Sequence, residues 1–129
     1  MQPRVADQVG VPALQTILAA YLDACEAGPQ RIRAYYALLR EADGPVPAIR
    51  TTIQKLHVGE RKSIAELIRA GQRAGVVRGD VDPEAEATAF LGVMRGVTMQ
   101  WLLDPKAVDL VATLTQYGAS LNRSLGVSA

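Results

Sequence analysis

Apolar residues recur at intervals of three and four along almost the whole chain, and each run stops at a proline, a glycine or an Asp-Pro pair. That spacing lines one face of an α-helix. A half-buried strand needs strict alternation bounded by turns, and no segment shows it. The expected fold class is therefore all-α.

The punctuation divides the chain into five helices. Pro12 suits a first turn, and Leu14, Ile17, Leu18, Tyr21, Leu22 and Cys25 form a stripe that Gly28 closes, giving a helix over about 13–27. Pro29 opens a second over about 30–42, with Ile32, Tyr35, Tyr36 and Leu39 inward and Asp43-Gly44-Pro45 as the stop. A third, over about 47–74, carries Ile49, Ile53, Leu56, Ile64, Leu67 and Ile68 to Gly71 and Gly75, with Gly59 as a candidate bend. Asp82-Pro83-Glu84 combines a capping carboxylate, a proline for the first turn and an acid for the positive end of the helix dipole, and it starts a fourth helix over about 83–103. Asp104-Pro105 repeats the device for a last helix, with Val108, Val111, Leu114, Tyr117, Leu121 and Leu125 in its stripe and its end near Gly126. Short connections make this one antiparallel bundle, a single domain over 1–129.

Composition narrows the function classes. Fourteen basic residues against thirteen acidic ones leave +1, with neither sign gathered into a block, so a phosphate-binding arm is not indicated. The apolar runs fall well short of the roughly 18 residues of a membrane span. The start, MQPRVADQVG, lacks the layout of a signal peptide, and the single Cys25 forms no internal disulfide. A soluble, cytoplasmic chain without membrane contact is expected. One histidine and one cysteine make no zinc site, and glycine-rich phosphate loops, HExxH and GxSxG are absent, so no cofactor is expected. Cys25 and His57 are the one conceivable thiol dyad, without an orienting partner, and the chain is not expected to be an enzyme.

The fourth helix is apolar on two lines, Phe90, Met94, Val97 and Trp101 on one and Leu91, Thr98 and Leu102 on the other. Two apolar faces ask for two partners, the rest of this chain and a second copy, unless both are consumed within a monomer. Gly92 and Gly96 stand one turn apart, and Gly118 and Ala119 add small residues to the fifth helix. These features place a twofold four-helix seam at Gly92, Gly96, Met99, Trp101, Leu114, Tyr117, Gly118 and Leu121. On the third helix, His57, Glu60 and Arg61 share one face beside the apolar stripe. They either orient a polar ligand group or form a structural ion pair.

The run from Ile64 to Pro105 resembles the C-terminal half of TetR-family (tetracycline-repressor-like) transcription regulators. The resemblance is carried by Ile68, Gly71 and Gly75 at a helix end, the Asp82-Pro83-Glu84 cap, Gly92 and Gly96, and Trp101-Leu102 before Asp104-Pro105. It implies that the last two helices dimerise and that the earlier ones enclose a site for a hydrophobic or aromatic small-molecule effector. The inward residues that would wall such a site are Tyr21, Cys25, Tyr36, Leu39, Ile53, Phe90 and Met94, with His57, Glu60 and Arg61 as polar anchors. Only about a dozen residues precede the first helix, too few for the family's helix-turn-helix headpiece. DNA binding by this chain alone is therefore not expected. A helical homodimeric interaction module without a ligand is the alternative.

Overall fold

A computed structural model describes residues 8–127; residues 1–7 of the stretch read above for a leader lie outside them. The helices are α1 Val11–Ala27, α2 Pro29–Glu41, α3 Pro47–Arg73, α4 Pro83–Leu103 and α5 Leu110–Leu125. Among the described residues the only β-type pairing is an isolated antiparallel bridge between Val77 and Gly126. The all-α helical bundle stands as expected.

Contacts between helices fix their directions. Arg69 of α3 pairs with Glu84 of α4, and Glu60 pairs with Arg95, so position falls along α3 as it rises along α4. Likewise Val11, Leu14 and Leu18 of α1 meet Leu121 and Leu125 of α5, while Leu22 and Cys25 meet Leu110 and Leu114. Both pairs are antiparallel.

Local chemistry sets most ends. Asp82 accepts from the N–H groups of Glu84 at 3.0 Å and Ala85 at 3.3 Å, satisfying donors that the first turn leaves free. The expected start of the last helix needs correction. Asp104 instead accepts from the N–H of Ala107 in a single turn. Asp109 caps α5 by accepting from Ala112 N–H at 3.0 Å, and the helix begins at the buried Leu110. Two aspartates compete for the role, and the one followed by a core leucine wins. The possible bend at Gly59 does not interrupt α3, which runs continuously to Arg73.

The main core joins α1, α3, α4 and α5 through Leu14, Leu18, Ile64, Ile68, Phe90, Leu91, Met94 and Leu121. A smaller cluster gathers Leu22, Cys25, Leu110 and Leu114, flanked by Ile32, Val97 and Trp101. Leu56, placed on the inward line by its spacing, is half exposed, as is Val111 of α5. Tyr36 is the one fully buried side chain of α2, which therefore lies on the bundle rather than within it.

Three segments converge on the end of α3. Gly75, at φ +77, closes the helix in a Schellman arrangement, with Val76 N–H on the Gly71 carbonyl at 2.9 Å and Gly75 N–H on that of Gln72 at 3.1 Å. The chain entering α1 crosses here, Gly10 N–H donating to the Leu67 carbonyl at 3.0 Å. A Cβ on Gly71 would lie 2.5 Å from Val77 Cγ2 and 2.9 Å from the Gly10 Cα, so only glycine permits the crossing. Gly71→Ala should destabilise the chain by about 1–3 kcal/mol in urea unfolding, because backbone on one side cannot yield. Gly59→Ala, where a Cβ meets nothing within 4 Å, should be neutral or stabilising by up to about 1 kcal/mol. Equal effects from the two variants would contradict the crossing's importance.

Candidate functional site

Where α2 rests on the bundle it leaves a cavity of about 220 Å³, lined by Tyr21 of α1, Tyr35 and Tyr36 of α2, Leu56 and Glu60 of α3, and Leu91, Met94 and Arg95 of α4. Tyr35 and Tyr36 are adjacent on α2, so their rings diverge. They meet edge to face with centroids 5.4 Å apart and planes at 86°. Each hydroxyl then enters a different hydrogen-bond network.

Tyr36 leads inward. Its hydroxyl is 3.1 Å from that of Tyr21, which is 2.5 Å from Thr98 Oγ1, and Thr98 donates to the Met94 carbonyl at 2.7 Å. Thr98 is wholly buried, and this bond is how α4 satisfies a hydroxyl in the core. Burial pushes the phenol of Tyr21 well above its ordinary value and raises that of Tyr36, so both stay protonated.

Tyr35 leads to charge. Its hydroxyl lies 2.8 Å from His57 Nε2 and accepts from Arg95 Nη2 at 3.4 Å, while Arg95 donates to Glu60 Oε2 at 2.7 Å. This ion pair is sheltered, with side-chain exposures of 21% for Arg95 and 33% for Glu60. Burial first, and then the Arg95 guanidinium, hold His57 below its ordinary value, which favours the neutral imidazole.

The sequence-derived site residues divide accordingly. Tyr21, Tyr36, Glu60 and Met94 line the cavity, and His57 stands behind Tyr35. Glu60 turns to Arg95 across the α3–α4 interface rather than to His57 or Arg61 along its own helix. Arg61 and Leu39 are partly buried outside the lining. Phe90 is 1% exposed in the main core, tilted against Tyr117 with centroids 6.1 Å apart, and Ile53 is buried beyond the cavity's lining. Cys25 belongs to the smaller cluster, and no hydrogen bond joins it to His57 among the described residues. Burial raises its thiol, so it is held as the poorly nucleophilic neutral form. Among the described residues no group of three potential ligands is placed to hold a metal.

Arg95, Tyr35, Leu56 and Leu91 were missed as site residues. A signal existed for Arg95, the only cation on α4, set among apolar residues and one position before a glycine. For Leu56 there was none, since its stripe position predicted core.

Two further concavities bear on the site. A groove of about 540 Å³ adjoins the cavity, shares Leu56, Glu60, Leu91 and Met94 with it, and continues past Ile17 and Ile64. A larger concavity, about 610 Å³, lies apart between the α1–α2 junction and the α4–α5 turn, over Leu22, Cys25 and Trp101. Its rim is the Pro105–Asp109 connection, with Glu26, Lys106 and Asp109 in its lining, and it opens widely to solvent. The cavity beneath α2 holds the converging polar groups.

The expected seam residues fall into two sets. Leu114 and Leu121 are buried against α1, and Gly118 brings α5 close to it, its carbonyl accepting from Gln15 Nε2 at 3.0 Å. These three are consumed inside the chain. Trp101 and Tyr117 are half-buried. Gly92, Gly96 and Met99 lie on the outer face of α4, where a Cβ on either glycine would meet nothing within 4 Å.

A family model described as BetI-type transcriptional repressor, C-terminal, matches residues 11–126. No curated protein and no solved structure matches the chain.

The lowered His57 gives the fold an acid-side sensitivity. Because the folded state binds the proton less readily than the unfolded one, stability is full above the ordinary value of 6.5 and is lost as pH falls through it towards the folded value. As His57 is the only histidine, its NMR titration should show a midpoint below 6.5. His57→Asn should flatten the stability profile between about pH 5 and 7. A midpoint above the ordinary value would mean that Glu60 dominates its surroundings.

Proposed function

The chain belongs to the family of BetI-type transcriptional repressor C-terminal domains, and from that premise we propose that it senses a small-molecule effector and pairs with a second copy of itself. The observation that carries the sensing is the preformed cavity beneath α2, apolar and aromatic in its walls, with one sheltered ion pair and two phenol networks as polar anchors. Ligand sites are built in this way, mostly apolar with a few placed polar groups.

The position of the cavity supplies a mechanism. α2 has 13 residues and buries only Tyr36 fully. Burying one large side chain contributes about 1.5–3 kcal/mol, whereas fixing each backbone residue costs about 1–2 kcal/mol. Isolated helices of this length are marginal in water. The docking of α2 therefore depends on what lies beneath it, and an occupant touching α1, α2, α3 and α4 favours one arrangement of those helices over others. Regulation follows from that differential affinity, carried along α3 and α4.

Pairing is assigned to the outer face of α4. Ala85, Ala89, Gly92, Gly96, Met99 and Leu103 follow one another at intervals of three and four, and the last of them is 82% exposed. Small residues let a second helix approach closely, while Met99 and Leu103 supply apolar area at the C-terminal end. Such a pairing is twofold, since the same stripe meets itself. With a net charge of +1 the domain contributes little of its own to DNA binding, and its setting is the cytoplasm, with the regulator it serves. A ligand-free pairing module is the second reading, favoured by the close filling of the main core around Phe90.

Two measurements test these assignments. Light scattering at tens of micromolar should give a dimer, and Met99→Asp should give a folded monomer; a monomeric unmodified chain overturns the pairing. A thermal-shift panel of aromatic and apolar compounds should yield binders. Leu56→Ala, at a half-exposed wall position, should weaken them by about 1 kcal/mol, roughly fivefold. A panel without any shift would leave the pairing module as the function.

A further inference from the structure

At the end of the bundle away from the Gly71 crossing, the concavity of about 610 Å³ lies between the last turn of α1 and the Pro105–Asp109 connection. Its volume falls in the range of about 300–1,000 Å³ common to small-molecule sites. Leu22, Cys25 and Leu110 form a buried apolar floor, and the half-buried Trp101 adds an aromatic wall. Three charged side chains join this lining, Glu26, Lys106 and Asp109. Asp109 is committed, since its Oδ1 accepts from Ala112 N–H at 3.0 Å and its charge faces the positive end of the α5 dipole. Glu26 stands in the last turn of α1, where the helix dipole opposes a negative charge and no basic residue accompanies it. Among the described residues neither Glu26 nor Lys106 enters an ion pair, with each other or with any other group.

We infer that this concavity is a second ligand site and that it takes an amino acid with a large apolar side chain, as the zwitterion. The inference is independent of what the cavity beneath α2 holds, because the two share no lining residue. Opposite charges that line one concavity without meeting leave a place for a molecule that carries both, an ammonium for Glu26 and a carboxylate for Lys106. An apolar side chain then covers the floor, against an indole that offers a large ring face. A singly charged molecule answers only one of the two groups, and an uncharged one neither. A molecule bound there touches α1, the α4–α5 connection and Pro29 in the first turn of α2. It therefore fastens the least anchored helix at its N-terminal end and favours the docked arrangement.

Trp101 is the only tryptophan and His57 the only histidine, so indole fluorescence reports this concavity while the imidazole NMR signals report the cavity beneath α2. L-phenylalanine, 2-phenylethylamine and 3-phenylpropanoate carry the same ring with both charged groups or with one, and each is titrated into the intact chain at low salt. Exposed charge pairs contribute modestly, so phenylalanine should move the Trp101 signal and bind about three- to fivefold tighter than either singly charged probe. Glu26→Gln should reduce phenylalanine to the affinity of 3-phenylpropanoate, and Lys106→Gln to that of 2-phenylethylamine. Both residues are exposed, and circular dichroism verifies the fold of each variant. Added salt should narrow the differences. A singly charged probe that binds as tightly as phenylalanine, or a phenylalanine affinity that neither substitution lowers, overturns the inference. If no probe moves the Trp101 signal, the concavity is not a ligand site, whatever happens at His57.

Discussion

The meeting of backbones at Gly71 is the contact on which the remaining geometry depends. The Schellman turn at the end of α3 sends the chain back through Val77, whose Cγ2 would be 2.5 Å from any Cβ placed on Gly71. Arg78 N–H then reaches the Leu125 carbonyl at 2.9 Å, tying the turn to the end of α5, while Gly10 N–H ties the entry of α1 to Leu67. Three helices are thus fixed by main-chain bonds at one end of the bundle. Such bonds are directional and cannot slide as apolar faces can, so the register of α1 against α5 and of α3 against α4 is set there and propagates. The antiparallel pairs carry that register to Glu60 and Arg95, which reach bonding distance far from the crossing.

α2 takes no part in this fixed end. It is placed by Tyr35 and Tyr36, two neighbouring side chains whose rings diverge into different parts of the bundle. A helix positioned by rings and hydroxyls, with Leu38 on its own surface left 45% exposed, leaves space beneath it that a packed helix would fill. The cavity is a consequence of that economy of contact. It puts the least anchored helix over the cavity proposed as the effector site.

Most of the helical boundaries were legible because each is a local event, a proline in a first turn, a capping aspartate or a glycine past the end. The start of α5 was misread because Asp104 and Asp109 carry the same local signal, and only the burial of Leu110 decides between them. The site was legible in part. Tyr21, Tyr36 and Met94 follow from their inward positions, and Glu60 from being a charge beside an apolar stripe. Arg95 stood out as the lone cation of α4, but nothing in the sequence tied it to Glu60, 35 positions away. Ile53 and Phe90 occupy equally inward positions yet are buried away from the cavity lining, and Cys25 faces the separate concavity at the α4–α5 turn. Periodicity says which residues turn inward and nothing about whether the space they meet is full.

The sequence by itself determined the helices, their order, the face each one buries and the family to which the chain belongs, because these rest on spacing along one helix and on motifs a few residues long. Tertiary structure alone decided which apolar faces were consumed within the chain and which were left over. Leu114, Gly118 and Leu121 were committed to α1, while Gly92, Gly96 and Met99 were left outward. It also decided the order of protons along Tyr36, Tyr21, Thr98 and Met94, residues drawn from three helices. Hydrogen-bond direction depends on which acceptor stands at the end of a chain of hydroxyls, and that acceptor is chosen by packing between helices rather than by spacing within one.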